Sequence, residues 1–123
     1  MRAWELFVDA VSETTATQAR QFTDRVLQQA GLTHLLEDTR LIVSELVGNV
    51  FRYVGGPMWL DLELWEQTLR VVVVDAGYPF VLPQGEVDWE AVSGRGLLII
   101  QALATLDLKV YVAGKALVAS LHV

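Results

Sequence analysis

The stretch from Met58 to Asp75 constrains this chain more than any other, because it joins two strand patterns through a turn too short for anything but a hairpin. From Met58 to Trp65 the residues alternate, with Leu60, Leu62 and Leu64 facing one way and Trp59, Asp61, Glu63 and Trp65 the other. That period of two belongs to a strand with one buried side. Glu66-Gln67-Thr68 then turns the chain into Leu69-Arg70-Val71-Val72-Val73-Val74-Asp75. This run is β-branched and nearly continuously apolar, which predicts a strand buried on both faces.

The flanking segments supply the rest of a sheet and its cover. Trp4, Leu6 and Val8 alternate with Glu5, Phe7 and Asp9, predicting another half-buried strand. Thr15-x-x-Gln18 reads as a capping box, after which Ala19, Phe22, Val26 and Ala30 make a helical stripe that Gly31 ends. A second helix carries Leu41 to Tyr53 and stops at Gly55-Gly56-Pro57, and a third runs from Gly94 to Ala104. Leu106 to Val112 and Ala116 to Val123 complete the chain as strands joined at Ala113-Gly114-Lys115. The element order predicts one α+β domain over residues 1–123, a two-layer sandwich whose mixed, mostly antiparallel sheet has three helices on one face. On its open face Trp59 and Trp65, beside Asp61 and Glu63, form either a contact patch for a dimer or partner, or scattered aromatics that shield the sheet.

Composition narrows the function classes. At 123 residues the chain is one domain by length, able to bury roughly two-thirds of its unfolded surface. Its 53% hydrophobic content includes no uninterrupted apolar run near the roughly 18 to 20 residues a membrane span needs. Met1-Arg2-Ala3-Trp4-Glu5 lacks a signal-peptide core, so a cytoplasmic protein is expected. A net charge of −6 argues against direct binding to nucleic acid, leaving a protein as the expected partner. With no cysteine, disulfides and thiolate metal sites are excluded, and His34 and His122 read as cap or surface residues rather than ligands.

Three clusters carry chemistry. Glu45 and Asn49 stand one turn apart on an otherwise apolar helix, in line with Leu41 and Tyr53. Facing a cleft they could hold a hydrated magnesium ion or orient a nucleophile; facing water they are the polar side of an amphipathic helix. Asp75-Ala76-Gly77 closes the apolar strand, where the carboxylate could accept from an exocyclic amine and the glycine let a flat ring approach, though the same triplet is an ordinary strand exit. Ser93-Gly94-Arg95-Gly96 opens the third helix and either frees amides for an anion or is a flexible feed into the helix. Between the last two clusters, Tyr78 to Ser93 shows no period and reads as a long loop of the functional kind.

Ser44-Glu45-Leu46-Val47-x-Asn49, Asp75-x-Gly77 and Ser93-Gly94-Arg95-Gly96-Leu97, in this order and spacing, resemble the nucleotide-binding boxes of the GHKL ATPase superfamily. Within it the wording is most similar to bacterial anti-sigma-factor serine/threonine kinases. The resemblance spans nearly the whole chain and implies a histidine kinase-like ATPase fold binding ATP and Mg2+. It makes Asn49 the magnesium ligand and Glu45 the general base or water-positioning group. Asp75 would read the adenine amino group, Gly77 would admit the ring, and Gly94, Arg95 and Gly96 would form the phosphate end of the ATP lid. Arg52 would either reach the phosphates or be a solvated helix residue.

Three positions depart from that pattern. Tyr53 stands where many relatives have His, Pro79 where they have a second Gly, and Ala116 where a Thr often follows a Gly-Lys pair. The resemblance therefore implies an anti-sigma-type regulator that binds a sigma factor or antagonist protein and phosphorylates a serine or threonine on the antagonist. The departures bear on transfer more than on binding, which leaves a non-catalytic module that binds its partner nucleotide-dependently as the alternative, and a scaffold without nucleotide as a third.

Overall fold

The computed structural model describes residues 1–80, 82 and 96–123. Strand β1 (Arg2–Val8) leads into helix α1 (Thr15–Ala30), a short 3-10 turn (Thr33–Leu35) and helix α2 (Leu36–Tyr53). A hairpin of β2 (Met58–Trp65) and β3 (Thr68–Asp75) follows, then α3 (Gly96–Leu103) and a second hairpin of β4 (Thr105–Tyr111) and β5 (Gly114–His122). The five strands lie in the order β1-β2-β3-β5-β4. The predicted two-layer α+β architecture with three helices is what the described residues adopt, but all four strand pairings are antiparallel rather than mixed. Trp65 pairs with Thr68 and Tyr111 with Gly114, and turns this tight join only antiparallel neighbours. Between β1 and β2 the chain runs out along α1 and back along α2, which again returns it antiparallel.

The core lies between the sheet and the helices. Leu60 and Leu62 of β2, with Leu69 and Val71 of β3, are fully buried beneath Ala19 and Leu27 of α1 and Ile42, Val43 and Leu46 of α2. β3 is not buried on both faces: Leu69, Val71, Val73 and Asp75 are buried, while Thr68, Arg70, Val72 and Val74 are only half covered. An unbroken valine run cannot reveal that helices cover only one side of its sheet.

The helix ends differ in how well local sequence foretold them. Gly31 takes φ 71°, and the amides of Gly31 and Leu32 bond the carbonyls of Gln28 and Leu27, closing α1 as expected. The Thr15–Gln18 capping box does not form. Thr14 is the cap residue and Thr15 the first helical one, where its buried Oγ1 accepts from the Ser12 amide at 2.9 Å. α2 starts at Leu36, five residues before Leu41, because the 3-10 turn feeds directly into it. α3 ends at Leu103 rather than Ala104, β4 shifts by one residue, and β5 opens at Gly114 rather than Ala116, while the expected start of α3 at Gly94 lies outside the described residues. Among the described residues no helix is long and apolar enough to cross a membrane.

On the open face of the sheet Phe7 and Trp59 pack with ring centroids 5.1 Å apart. Trp65 donates to Glu63 at 3.2 Å and lies under the Arg70 guanidinium at 5.0 Å. Beside them Glu5 of β1 stands directly opposite Asp61 of β2. Burial first, then the facing Glu5 and the neighbouring Glu63, push the Asp61 carboxyl up to about 7.

Candidate functional site

A cleft of ≈ 720 Å³ opens where α2, the end of β3, the start of α3 and the start of β5 converge. One wall is α2. Its apolar stripe, with Leu46, Val47 and Val50 at most 2% exposed, anchors it on the sheet and turns the half-buried Glu45 and Asn49 toward the cleft. Leu41, in line with them one turn earlier, does not reach the cleft, and Tyr53 lines its rim while remaining 76% exposed.

Arg52 has a contact that neither of the two readings of it anticipated. Its Nη2 donates to Asn49 Oδ1 at 2.9 Å, so the guanidinium folds back along its own helix. Gly48 leaves the room: a Cβ there would sit 3.2 Å from Arg52 Nη1.

The opposite end of the cleft is built on Asp75, which is 4% exposed and closes β3. Its Oδ1 accepts the Gly77 amide at 2.7 Å and the ammonium of Lys115 at 2.6 Å. Lys115, 5% exposed, is its cross-strand partner on β5, and the ammonium also lies 5.6 Å from the Phe80 ring centroid. Gly77 is what lets this cluster close. A Cβ at that position would stand 2.7 Å from Lys115 Nζ, 2.7 Å from Val54 Cγ2 and 2.9 Å from Asp75 Oδ1.

Lys115 is the site residue that sequence reading missed. With the strand placed from Ala116 onward, Lys115 falls in the turn and Ala116 counts only as a departure from the family pattern that bears on transfer. Alternation along β5 puts Lys115, Leu117, Ala119 and Leu121 opposite Asp75, Val73, Val71 and Leu69 on the helix side. Ala116 pairs with Val74 and faces the other way, so a hydroxyl at position 116 would not meet the cleft. The usable signal was the phase of Lys115 with the apolar residues of its strand.

α3 completes the site. Gly96 begins it, and Glu45 Oε2 packs so closely against Gly96 that a side chain there would collide with it. A carboxylate beside the first turn of a helix is favoured by the peptide dipoles. The cleft thus brings together Glu45, Asn49, Arg52, Asp75, Gly96 and Lys115, with Gly77 packed beneath the Asp75 end. Gly94 and Arg95, and most of the loop from Tyr78 to Ser93, lie outside the described residues; Tyr78, Pro79 and Phe80 line the cleft.

Among the described residues no group of three His, Cys, Asp or Glu side chains is placed to hold a metal. That suits Mg2+ only as an ion shared with a ligand, since magnesium is commonly held by one or two protein oxygens together with substrate phosphates and water. Asn49 Oδ1 and the neighbouring Glu45 fit such a partial shell in kind, provided Arg52 yields the oxygen it holds.

A family model for the histidine kinase-like ATPase domain matches residues 10–118. Among solved structures, the histidine kinase domain from the Erythrobacter litoralis EL346 blue-light activated histidine kinase is similar, at 22% identity and a TM-score of 0.45. That similarity covers 70% of this chain and 43% of the other, so the chain spans less than half the length of that structure. No curated protein sequence matches this chain.

Proposed function

The chain belongs to the histidine kinase-like ATPase domain family, and on that premise we propose that it is a cytoplasmic, ATP-binding regulator of the anti-sigma-factor type that phosphorylates a serine or threonine on a protein antagonist. The observation that carries this reading is the polarity of one cleft. A buried carboxylate, Asp75, stands at its deep end, and Glu45 and Asn49 stand at the other, where α3 begins.

In this reading Asp75 accepts from the adenine amino group. Asn49 would hold Mg2+ through Oδ1, and the ion would supply charge neutralisation to the nucleotide phosphates. Gly96, with Gly94 and Arg95, binds the phosphate side. Glu45 takes the proton of the acceptor hydroxyl as its oxygen forms the bond to the γ-phosphorus and ADP leaves. Arg52, which lines the same cleft and now bonds Asn49 Oδ1, would turn to the phosphates if that oxygen were given up to the ion. The partner is a sigma factor or its antagonist, and the open sheet face with Phe7, Trp59 and Trp65 is available to it or to a second copy.

The Arg52 to Asn49 bond favours a second reading, in which nucleotide occupancy controls partner affinity without transfer, because it occupies the Asn49 oxygen assigned to the metal. The two readings separate in one experiment. The protein is immobilised with Mg2+ and γ-labelled ATP, a cell extract is passed over it, and captured proteins are scored for label. Serine or threonine label that disappears with Glu45→Gln supports the kinase. Capture that depends on nucleotide but never brings label supports the module, and full labelling by Glu45→Gln removes Glu45 as the base.

A further inference from the structure

The Asp75 carboxylate is not alone at the deep end of the cleft. Lys115 lies against it at 2.6 Å, and both side chains are almost wholly buried, at 4% and 6% exposure. A buried ion pair of this kind is seldom a net source of stability over an apolar pair, so its retention in a ligand-sized cleft calls for another role. Two details suggest what that role is. The Gly77 amide and the ammonium both use Asp75 Oδ1, so neither bond employs Oδ2. An ammonium has three donors, of which Asp75 takes one.

From the geometry we infer that Lys115 is a base-reading residue, which donates to the ring nitrogen N1 of an adenine while Asp75 Oδ2 accepts from the adjacent 6-amino group. This rests on the nucleotide reading of the cleft and adds a specificity determinant to it. The pair presents a donor and an acceptor side by side, and the N1 and 6-amino edge of adenine presents the complementary acceptor and donor. That edge lies opposite the sugar-bearing N9. A base entering deep end first, with ribose and phosphates trailing toward Asn49 and Gly96, therefore meets Lys115 and Asp75 with N1 and the amino group rather than with N7. The Phe80 ring, 5.6 Å from the ammonium, forms an apolar and cation-attracting flank to the same point. Because the ammonium is fixed by Asp75, it is oriented before the base arrives, and little freedom is lost on contact.

The site should then discriminate by the presence of N1 as an acceptor. Titration of the full chain with ATP and with 1-deaza-ATP, which keeps the amino group and lacks N1, is the direct test, with 7-deaza-ATP as control. Wild-type protein is expected to bind 1-deaza-ATP about tenfold more weakly than ATP, the loss of one hydrogen bond from a charged donor, and to bind 7-deaza-ATP like ATP. Lys115→Met should bind ATP and 1-deaza-ATP alike, both about tenfold more weakly than wild type binds ATP. The nucleotide-side comparison needs no variant and so stands even if Lys115→Met does not fold. Equal binding of ATP and 1-deaza-ATP by wild type overturns this inference while leaving the nucleotide site intact. Tighter ATP binding by Lys115→Met also overturns it, since the lysine would then obstruct the base. No binding of ATP by wild type overturns both this inference and the function it rests on.

Discussion

Arg52 Nη2 donates to Asn49 Oδ1 at 2.9 Å, which places a guanidinium on the oxygen that a magnesium ion would need. The bond is exposed and lies along one helix, so it is a weak competitor rather than a block. Arg52→Ala is expected to lower the Mg2+ concentration needed for half-maximal ATP binding by about two- to fivefold. A magnesium titration at fixed nucleotide checks this. A loss of nucleotide affinity at saturating Mg2+ would instead show that the phosphate contact of Arg52 outweighs its hold on Asn49.

Glu5 and Asp61 face each other across β1 and β2, and Asp61 is held protonated up to about pH 7. A carboxyl whose folded value is raised binds its proton more tightly in the native state than in the unfolded chain. The stability it contributes is complete below the ordinary value of 3.8 and is lost as pH rises toward about 7. Asp61→Asn removes the titration and keeps the shape. Allowing for solvent screening of a half-exposed site, the variant should be more stable than wild type by about 1 kcal/mol at pH 8 and no more stable at pH 4. Thermal melts of both proteins across that range read the difference, and parallel curves would rule the Asp61 assignment out.

Gly77 packs beneath the Asp75 and Lys115 pair with no room for a methyl group. Gly77→Ala is expected to destabilise the fold by about 1–3 kcal/mol, because Val54, Asp75 and Lys115 cannot all withdraw. ATP affinity should fall with it. Urea unfolding midpoints measure the first effect, and an unchanged midpoint would mean that the corner opens at little cost.

What could be read from the sequence was whatever local periodicity decides. The alternation of Leu60, Leu62 and Leu64 set the hairpin and its inner face, Gly31 ended α1 in the left-handed conformation, and the four-residue spacing of Glu45 and Asn49 put both on one wall. What escaped depends on register between distant segments. Lys115 changes from turn to site residue when β5 starts two residues earlier, and Ala116, its strand neighbour, lies on the opposite face. Thr15 looked like a cap because its spacing to Gln18 is right, yet burial of Thr15 moves the helix start by one residue. The burial of β3 depended on which face the helices cover, which its own residues do not encode. Arg52 stands three residues from Asn49, a distance at which helix side chains meet, but whether it turns back or outward depends on the space left by Gly48.

In the proposed reading the cleft between α2, β3, α3 and β5 is a magnesium-dependent ATP site, with Asn49 at its phosphate end and Asp75 at its base end. Calorimetric titration with ATP, with and without Mg2+, of wild type, Asn49→Ala and Asp75→Asn tests it most directly. Wild type is expected to bind ATP more tightly with Mg2+, Asn49→Ala to lose that magnesium dependence, and Asp75→Asn to bind ATP more weakly. A folded wild-type protein that takes up no ATP at millimolar concentration, or binding untouched by either substitution, would contradict it.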